Sequence, residues 1–69
     1  MTKTEQIQNN EVIANSLREY VTRFTAELNK AIAEKDDFKV SETKGRLASL
    51  KNKLRKIEVK NAEIAQLSL

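Results

Sequence analysis

The sequence predicts an all-α fold, an antiparallel two-helix hairpin of the coiled-coil type that dimerises into a four-helix bundle. The 69 residues include no proline and one glycine, and the abundant Ala, Leu, Lys, Glu, Arg and Gln are typical of long helices. Apolar residues recur at alternating steps of three and four, which is the heptad spacing of packed helices. Because so short a chain without cysteine or histidine cannot use disulfides or the usual zinc sites, we expect association to stabilise it.

We expect one domain over residues 1–69 and a first helix over about residues 4–35. Thr2 and Glu5 have the spacing of a capping box, and Thr4 is a second candidate N-cap. The apolar stripe of this helix, which we call the seam, is interrupted once by asparagine. Its members are Ile7, Asn10, Ala14, Leu17, Val21, Phe24, Leu28 and Ala31.

A turn is predicted at about residues 35–37, followed by a second helix over about residues 38–66. Asp36 and Asp37 are candidate N-caps, since an aspartate side chain accepts the free amide protons of a first helical turn. The second helix repeats the heptad spacing and also carries one asparagine. Its seam residues are Val40, Thr43, Leu47, Leu50, Leu54, Ile57, Asn61 and Ile64.

The two seams predict how the helices align. In an antiparallel hairpin, residues at equal distance from the turn are neighbours, and every seam residue finds a counterpart if paired residue numbers add to 71. This register places Asn10 against Asn61. A register with sums of 74 or 75 pairs Ile7 with Leu67 and sets Asn10 against Ile64. The first register is preferred, because an amide can hydrogen-bond another amide but not isoleucine.

Some apolar residues lie beside the seams, where a lone hairpin cannot cover them. Ile13 and Tyr20 lie one heptad apart on one side of the first seam, Ile32 lies on the other, and Val12 and Val59 project away. We expect Ile13 and Tyr20 to widen the apolar stripe for a second hairpin. Docking onto a helix of a larger protein is the alternative. The predicted protein interface comprises Ile13, Tyr20, Leu17, Phe24, Leu47 and Leu54.

The second helix carries most of the positive charge. The whole chain has a net charge of +3, and residues 39–60 contain eight basic and two acidic side chains. They could bind phosphate, or form a solvated border that pairs with Glu11, Glu27 and Glu34 of the first helix or of a second chain. The solvated border is favoured, because no aromatic residue interleaves the basic ones, and binding to a membrane surface ranks third. The candidate nucleic-acid contacts are Lys44, Arg46, Lys51, Lys53, Arg55, Lys56 and Lys60.

The composition also argues against catalysis. Without histidine, cysteine or a glycine-rich phosphate loop, we expect no enzymatic activity, cofactor or small-molecule substrate. Asp36 and Asp37 alone are too few ligands to indicate a metal site. No apolar run reaches the length of a membrane span and the start lacks a signal-peptide core, so we expect a protein of the cytoplasm of the producing or host cell.

The chain resembles two groups of small helical proteins. In length and predicted architecture it resembles Rop, the plasmid copy-number protein whose hairpins dimerise and bind RNA, although no motif carries Rop's RNA-contacting residues onto this chain. The stretch 37–54, with Lys44-Gly45-Arg46-Leu47 at its centre, is similar in style to small proteins of tailed phages. The sequence therefore predicts a non-enzymatic protein–protein interaction or assembly module, of phage type by this resemblance. The alternative is a nucleic-acid-binding regulator that uses the second helix.

Overall fold

The computed structural model describes residues 2–67, and it confirms the predicted all-α hairpin. Helix α1 spans Lys3–Ala33 and helix α2 spans Asp37–Leu67. The two helices pack side by side in a rod of 51 × 14 × 14 Å. Met1, Ser68 and Leu69, which the predicted domain includes, lie outside the described residues.

The N-terminus of α1 is fixed by a capping box. The Thr2 hydroxyl accepts a hydrogen bond from the Glu5 amide at 3.1 Å and donates to the Glu5 carboxylate at 3.2 Å. The helix therefore begins at Lys3 rather than near Thr4, because Thr2 satisfies the amide that the first turn leaves free. The Lys3 ammonium also donates to the carbonyl of Leu67 at 3.0 Å, which links the two open ends of the hairpin.

Helix α1 ends at Ala33, two residues earlier than predicted, because it closes in a Schellman motif. The amide of Asp36 donates to the carbonyl of Ala31 at 3.0 Å, and the amide of Lys35 donates to Ile32 at 3.1 Å. These bonds satisfy carbonyls that the end of a helix leaves free. Lys35 adopts the left-handed conformation that this motif requires, with φ of 56°.

Asp36 also starts the second helix. Its carboxylate accepts the amide of Lys39 at 3.1 Å, and its carbonyl accepts the amide of Val40 at 2.9 Å. Of the two candidate caps, Asp36 thus fills the N-cap position. Asp37 lies in the first turn of α2, where its negative charge favours the helix dipole.

The asparagine pair confirms the predicted register. The Asn10 side-chain amide donates to the Asn61 carbonyl oxygen at 2.9 Å. Every residue of both seams is buried or half-buried. Among the other residues of the range 2–67, only Arg18 and Asp36 are half-buried, and all the rest are exposed. The heptad spacing therefore identified the contact between the helices completely.

The seam is nevertheless poorly covered. Its well-buried members are Ala14, Ala31, Thr43 and Leu47, and Leu47 is the only large apolar residue among residues 2–67 that is buried. The other leucines, isoleucines and valines of the seam, and Phe24, are half-buried. Two helices alone thus leave much of their shared apolar stripe in contact with water, because a hairpin has no third element to cover it.

Candidate interaction surface

The groove between the helices has two edges, and one of them combines apolar and basic residues. Phe24 of the seam packs against Tyr20, with ring centroids 6.5 Å apart, and its ring lies 5.8 Å from the guanidinium of Arg46. Tyr20 and Arg46 therefore lie on the same side of the hairpin. We call this side the Tyr20 flank; steps of seven from these two residues give its members. Over residues 13–60 they are Ile13, Tyr20 and Glu27 on α1, Glu34 at its C-cap, and Lys39, Arg46, Lys53 and Lys60 on α2.

The Tyr20 flank is open to solvent and its charges are largely unmatched. Ile13 is 51% exposed and Tyr20 is 47% exposed. Arg46 pairs with Glu42 at 2.9 Å, one helical turn away. The five other charged residues of the flank form no ion pair within residues 2–67. They are Glu27, Glu34, Lys39, Lys53 and Lys60.

Part of the Tyr20 flank forms a recess near the turn. Glu27, Glu34, Lys39 and Arg46 line it together with the seam residue Phe24. Of the flank residues in this recess, the two acids come from α1 and its C-cap and the two basic residues come from α2. Lys30 of α1 and Glu42 of α2 also line the recess. The flank therefore presents a different charge on each of its two helices.

The opposite side of the groove is closed by internal ion pairs. Arg18 contacts the Glu11 carboxylate at 2.6 Å and the Glu58 carboxylate at 3.8 Å, so it links α1 to α2. The Arg18 guanidinium also donates a hydrogen bond to the side-chain oxygen of Asn15 at 2.7 Å. The hydrogen bond with Glu11 raises the pKa of the Arg18 guanidinium further above its ordinary value. Arg18, Glu11 and Glu58 thus use their charges within the chain, whereas Lys44 and Lys51 on the same side form no ion pair within residues 2–67.

The candidate phosphate-binding residues spread around the solvent side of α2. Arg46 is engaged by Glu42, whereas the other six candidates form no ion pair with any described carboxylate. The proposed pairing with Glu11, Glu27 and Glu34 is therefore absent from the described part of the chain. Glu11 instead pairs with Arg18. The six unpaired candidates are Lys44, Lys51, Lys53, Arg55, Lys56 and Lys60.

The predicted interface residues divide into two groups. Leu17, Phe24, Leu47 and Leu54 lie in the seam and pack between α1 and α2, and the structure brings Ile13 and Tyr20 to the edge of that seam. The sequence analysis named Glu27 and Glu34 as partners for the basic border, but it did not place them on the edge that carries Ile13 and Tyr20. The signal was present, because both residues continue the seven-residue spacing of Ile13 and Tyr20.

Aromatic residues also lie closer to the basic ones than their separation in the sequence indicates. Arg46 of α2 stacks on Phe24 of α1, and the guanidinium of Arg23 lies 5.6 Å from the Tyr20 ring. The pairing across the hairpin brings Phe24 and Arg46 together, whereas Tyr20 and Arg23 are neighbours on one face of α1. The Tyr20 flank is therefore an aromatic and cationic surface, whose stacking geometry suits cation–π contacts.

Neither a membrane span nor a metal cluster is found in the described part of the chain. Neither helix is long and apolar enough to cross a membrane, and no three potential metal ligands converge within residues 2–67.

The sequence matches no protein-family model, and no curated protein or solved structure is significantly similar to it. The candidate surface must therefore be interpreted from its own geometry.

Proposed function

We propose that this protein is a non-enzymatic interaction module that self-associates through the Tyr20 flank into a four-helix bundle. The observation that supports this proposal is the exposure of Ile13 and Tyr20, 51% and 47%, directly beside a seam whose large side chains are only half-buried. A second hairpin placed there covers both the flank and the exposed edge of the seam. Such a bundle is the common solution for helices with a wide apolar face.

The proposal is tested by truncating the flank without disturbing the seam. We expect Ile13→Ala with Tyr20→Ala to raise the dissociation constant of the dimer by about tenfold or more, because central apolar and aromatic contacts dominate interfaces. Val12→Ala is the matched control, since Val12 is 66% exposed and lies one residue away on the outer face of α1. Sedimentation over a range of concentrations measures both, and circular dichroism checks that the helices remain. Equal association of the double variant and the control would contradict the proposal.

A second candidate function is nucleic-acid binding by the outer face of α2. It is favoured by the six basic residues between Lys44 and Lys60 that no described carboxylate neutralises. Helical surfaces of this kind bind the phosphate backbone and release counterions, so their affinity falls steeply with salt. We rank it second, because the half-covered seam and the exposed apolar residues beside it need a protein partner and not a phosphate.

A titration separates the two functions. Mixed DNA and RNA are titrated at two salt concentrations into the native chain and into a Lys51→Glu, Arg55→Glu variant, whose changes lie away from the Tyr20 flank. Nucleic-acid binding predicts a dissociation constant of about 1–100 μM that both added salt and the variant weaken. Lys30→Glu with Lys35→Glu, near the turn, makes the same change in net charge and is the control. Absence of binding at low salt would exclude this function.

A further inference from the structure

The two helices contribute opposite charges to the Tyr20 flank. On α1 the flank residues are two apolar side chains followed by Glu27 and, at the C-cap, Glu34. The basic residues of α1 nearest to them are Arg23, which lies over Tyr20, and Lys30. On α2 all four flank residues are basic. These are Lys39, Arg46, Lys53 and Lys60. A second copy of the chain presents the same pair of edges, so its orientation decides which charges meet.

We propose that the second copy docks on the Tyr20 flank with both turns at the same end of the bundle, so that α2 of each copy lies over α1 of the other. This arrangement rests on the self-association proposed above and specifies its geometry. It is one of two ways in which a two-fold axis can place the two flanks face to face. In the other, the turn of one hairpin lies at the open end of its partner.

Charge complementarity favours the arrangement with adjacent turns. Residues at the same distance from the turn end of the bundle then face each other. Glu27 therefore meets Arg46 of the second copy, and Glu34 meets Lys39 of the second copy. These acids have no ion-pair partner within residues 2–67 of their own chain. In the reversed arrangement α2 lies over α2, and the four basic flank residues of each copy face those of the other. Such like-charge contacts oppose association.

The apolar half of the flank fits the same arrangement. At the height of Tyr20 and Ile13, α2 of the second copy presents Lys53 and Lys60. Lysine stems cover apolar surface while their ammonium groups remain in water, and an aromatic ring attracts a cation over its face. The chain already uses this contact internally, since Arg46 lies over Phe24 and Arg23 over Tyr20. The basic residues of α2 thus cover the apolar residues of α1.

Charge reversal on one helix at a time tests the orientation. We expect the α1 variant, Glu27→Lys with Glu34→Lys, and the α2 variant, Lys39→Glu with Arg46→Glu, each to raise the dissociation constant of the homodimer by about tenfold or more. An equimolar mixture of the two variants is expected to associate as tightly as the native chain, because every reversed charge then meets its opposite. Sedimentation measures all three samples.

The reversed arrangement predicts a different result for the α2 variant. There, positions 39 and 46 face Lys60 and Lys53 of the second copy, so reversing their charge would tighten the homodimer. Tighter association of the α2 variant, or no recovery on mixing, would overturn the proposed orientation while leaving self-association intact. A native chain that stays monomeric would overturn self-association itself, and the orientation with it.

A distance measurement provides a second test that uses no charged residue. The chain has no cysteine, so Ala33→Cys, at the end of α1, gives a single site for a nitroxide label. Adjacent turns place the two labels of a dimer about 20–30 Å apart, two to three helix diameters. The reversed arrangement separates them by nearly the 51 Å length of the hairpin, and that result would overturn the proposal.

Discussion

At the scale of single residues, the pair of Asn10 and Asn61 defines the alignment of the hairpin at a cost in stability. Their hydrogen bond is 2.9 Å long and part-buried. A shift of either helix by one turn would set an amide against an apolar residue and leave it unsatisfied. A buried amide pair of this kind selects a register, although an apolar pair would be more stable.

Replacing both asparagines with leucine should therefore raise the free energy of unfolding by about 1–3 kcal/mol, because two apolar side chains then fill the layer. Asn61→Leu alone is the control, and it should gain less, since it leaves the Asn10 amide without its partner. Urea denaturation measures both variants. A strong loss of stability in the double variant would show that the two amides do more than set the register.

The backbone conformation of Lys35 determines how a glycine substitution at this position changes the stability of the protein. With φ of 56° it occupies a left-handed conformation that glycine adopts at less cost. Lys35→Gly should therefore raise the free energy of unfolding by about 0.5–1 kcal/mol. Glu34→Gly is the matched control, because Glu34 is right-handed, with φ of −83°, and glycine there should lower stability. Thermal denaturation of both variants checks the difference, and equal shifts would contradict it.

At the scale of the helices, the sequence predicted the seams and the register because both depend on spacing along a single chain. The boundaries differed by one or two residues, since the Schellman motif at Lys35 and the cap at Asp36 depend on hydrogen bonds that close only when the turn has formed. The composite nature of the Tyr20 flank was not predicted. It arises from residues that lie far apart in sequence, such as Phe24 and Arg46, and from how the two helices are rotated against each other.

Gly45 is the residue of lowest helix propensity in the interior of α2. A methyl group built there meets no atom within 4 Å, so Gly45→Ala should raise the free energy of unfolding by about 0.5–1 kcal/mol. Ala48→Gly, at an exposed position of the same helix, should lower the free energy of unfolding by a similar amount. Urea denaturation measures both. Should Gly45→Ala also weaken association, the position would be one where a partner's backbone approaches closely.

At the scale of the whole molecule, stability and association are linked. The hairpin buries Leu47 and a few small residues well, so a second copy should supply much of the stabilising burial. Its melting temperature should then depend on protein concentration. Each tenfold rise in concentration adds about 1.4 kcal/mol to the free energy of unfolding of a dimer. For a dimer of two such chains this raises the melting temperature by about 3–6 °C.

Melting followed by circular dichroism over an approximately hundredfold range of concentration tests this coupling. The Ile13→Ala, Tyr20→Ala variant is expected to melt at a lower temperature that changes less with concentration, because it lacks the side chains whose burial stabilises the dimer. The Val12→Ala control should keep the native dependence. A native melting temperature that is constant over the whole range would mean that the hairpin is stable alone, and the exposed flank would then be free to accept a different protein.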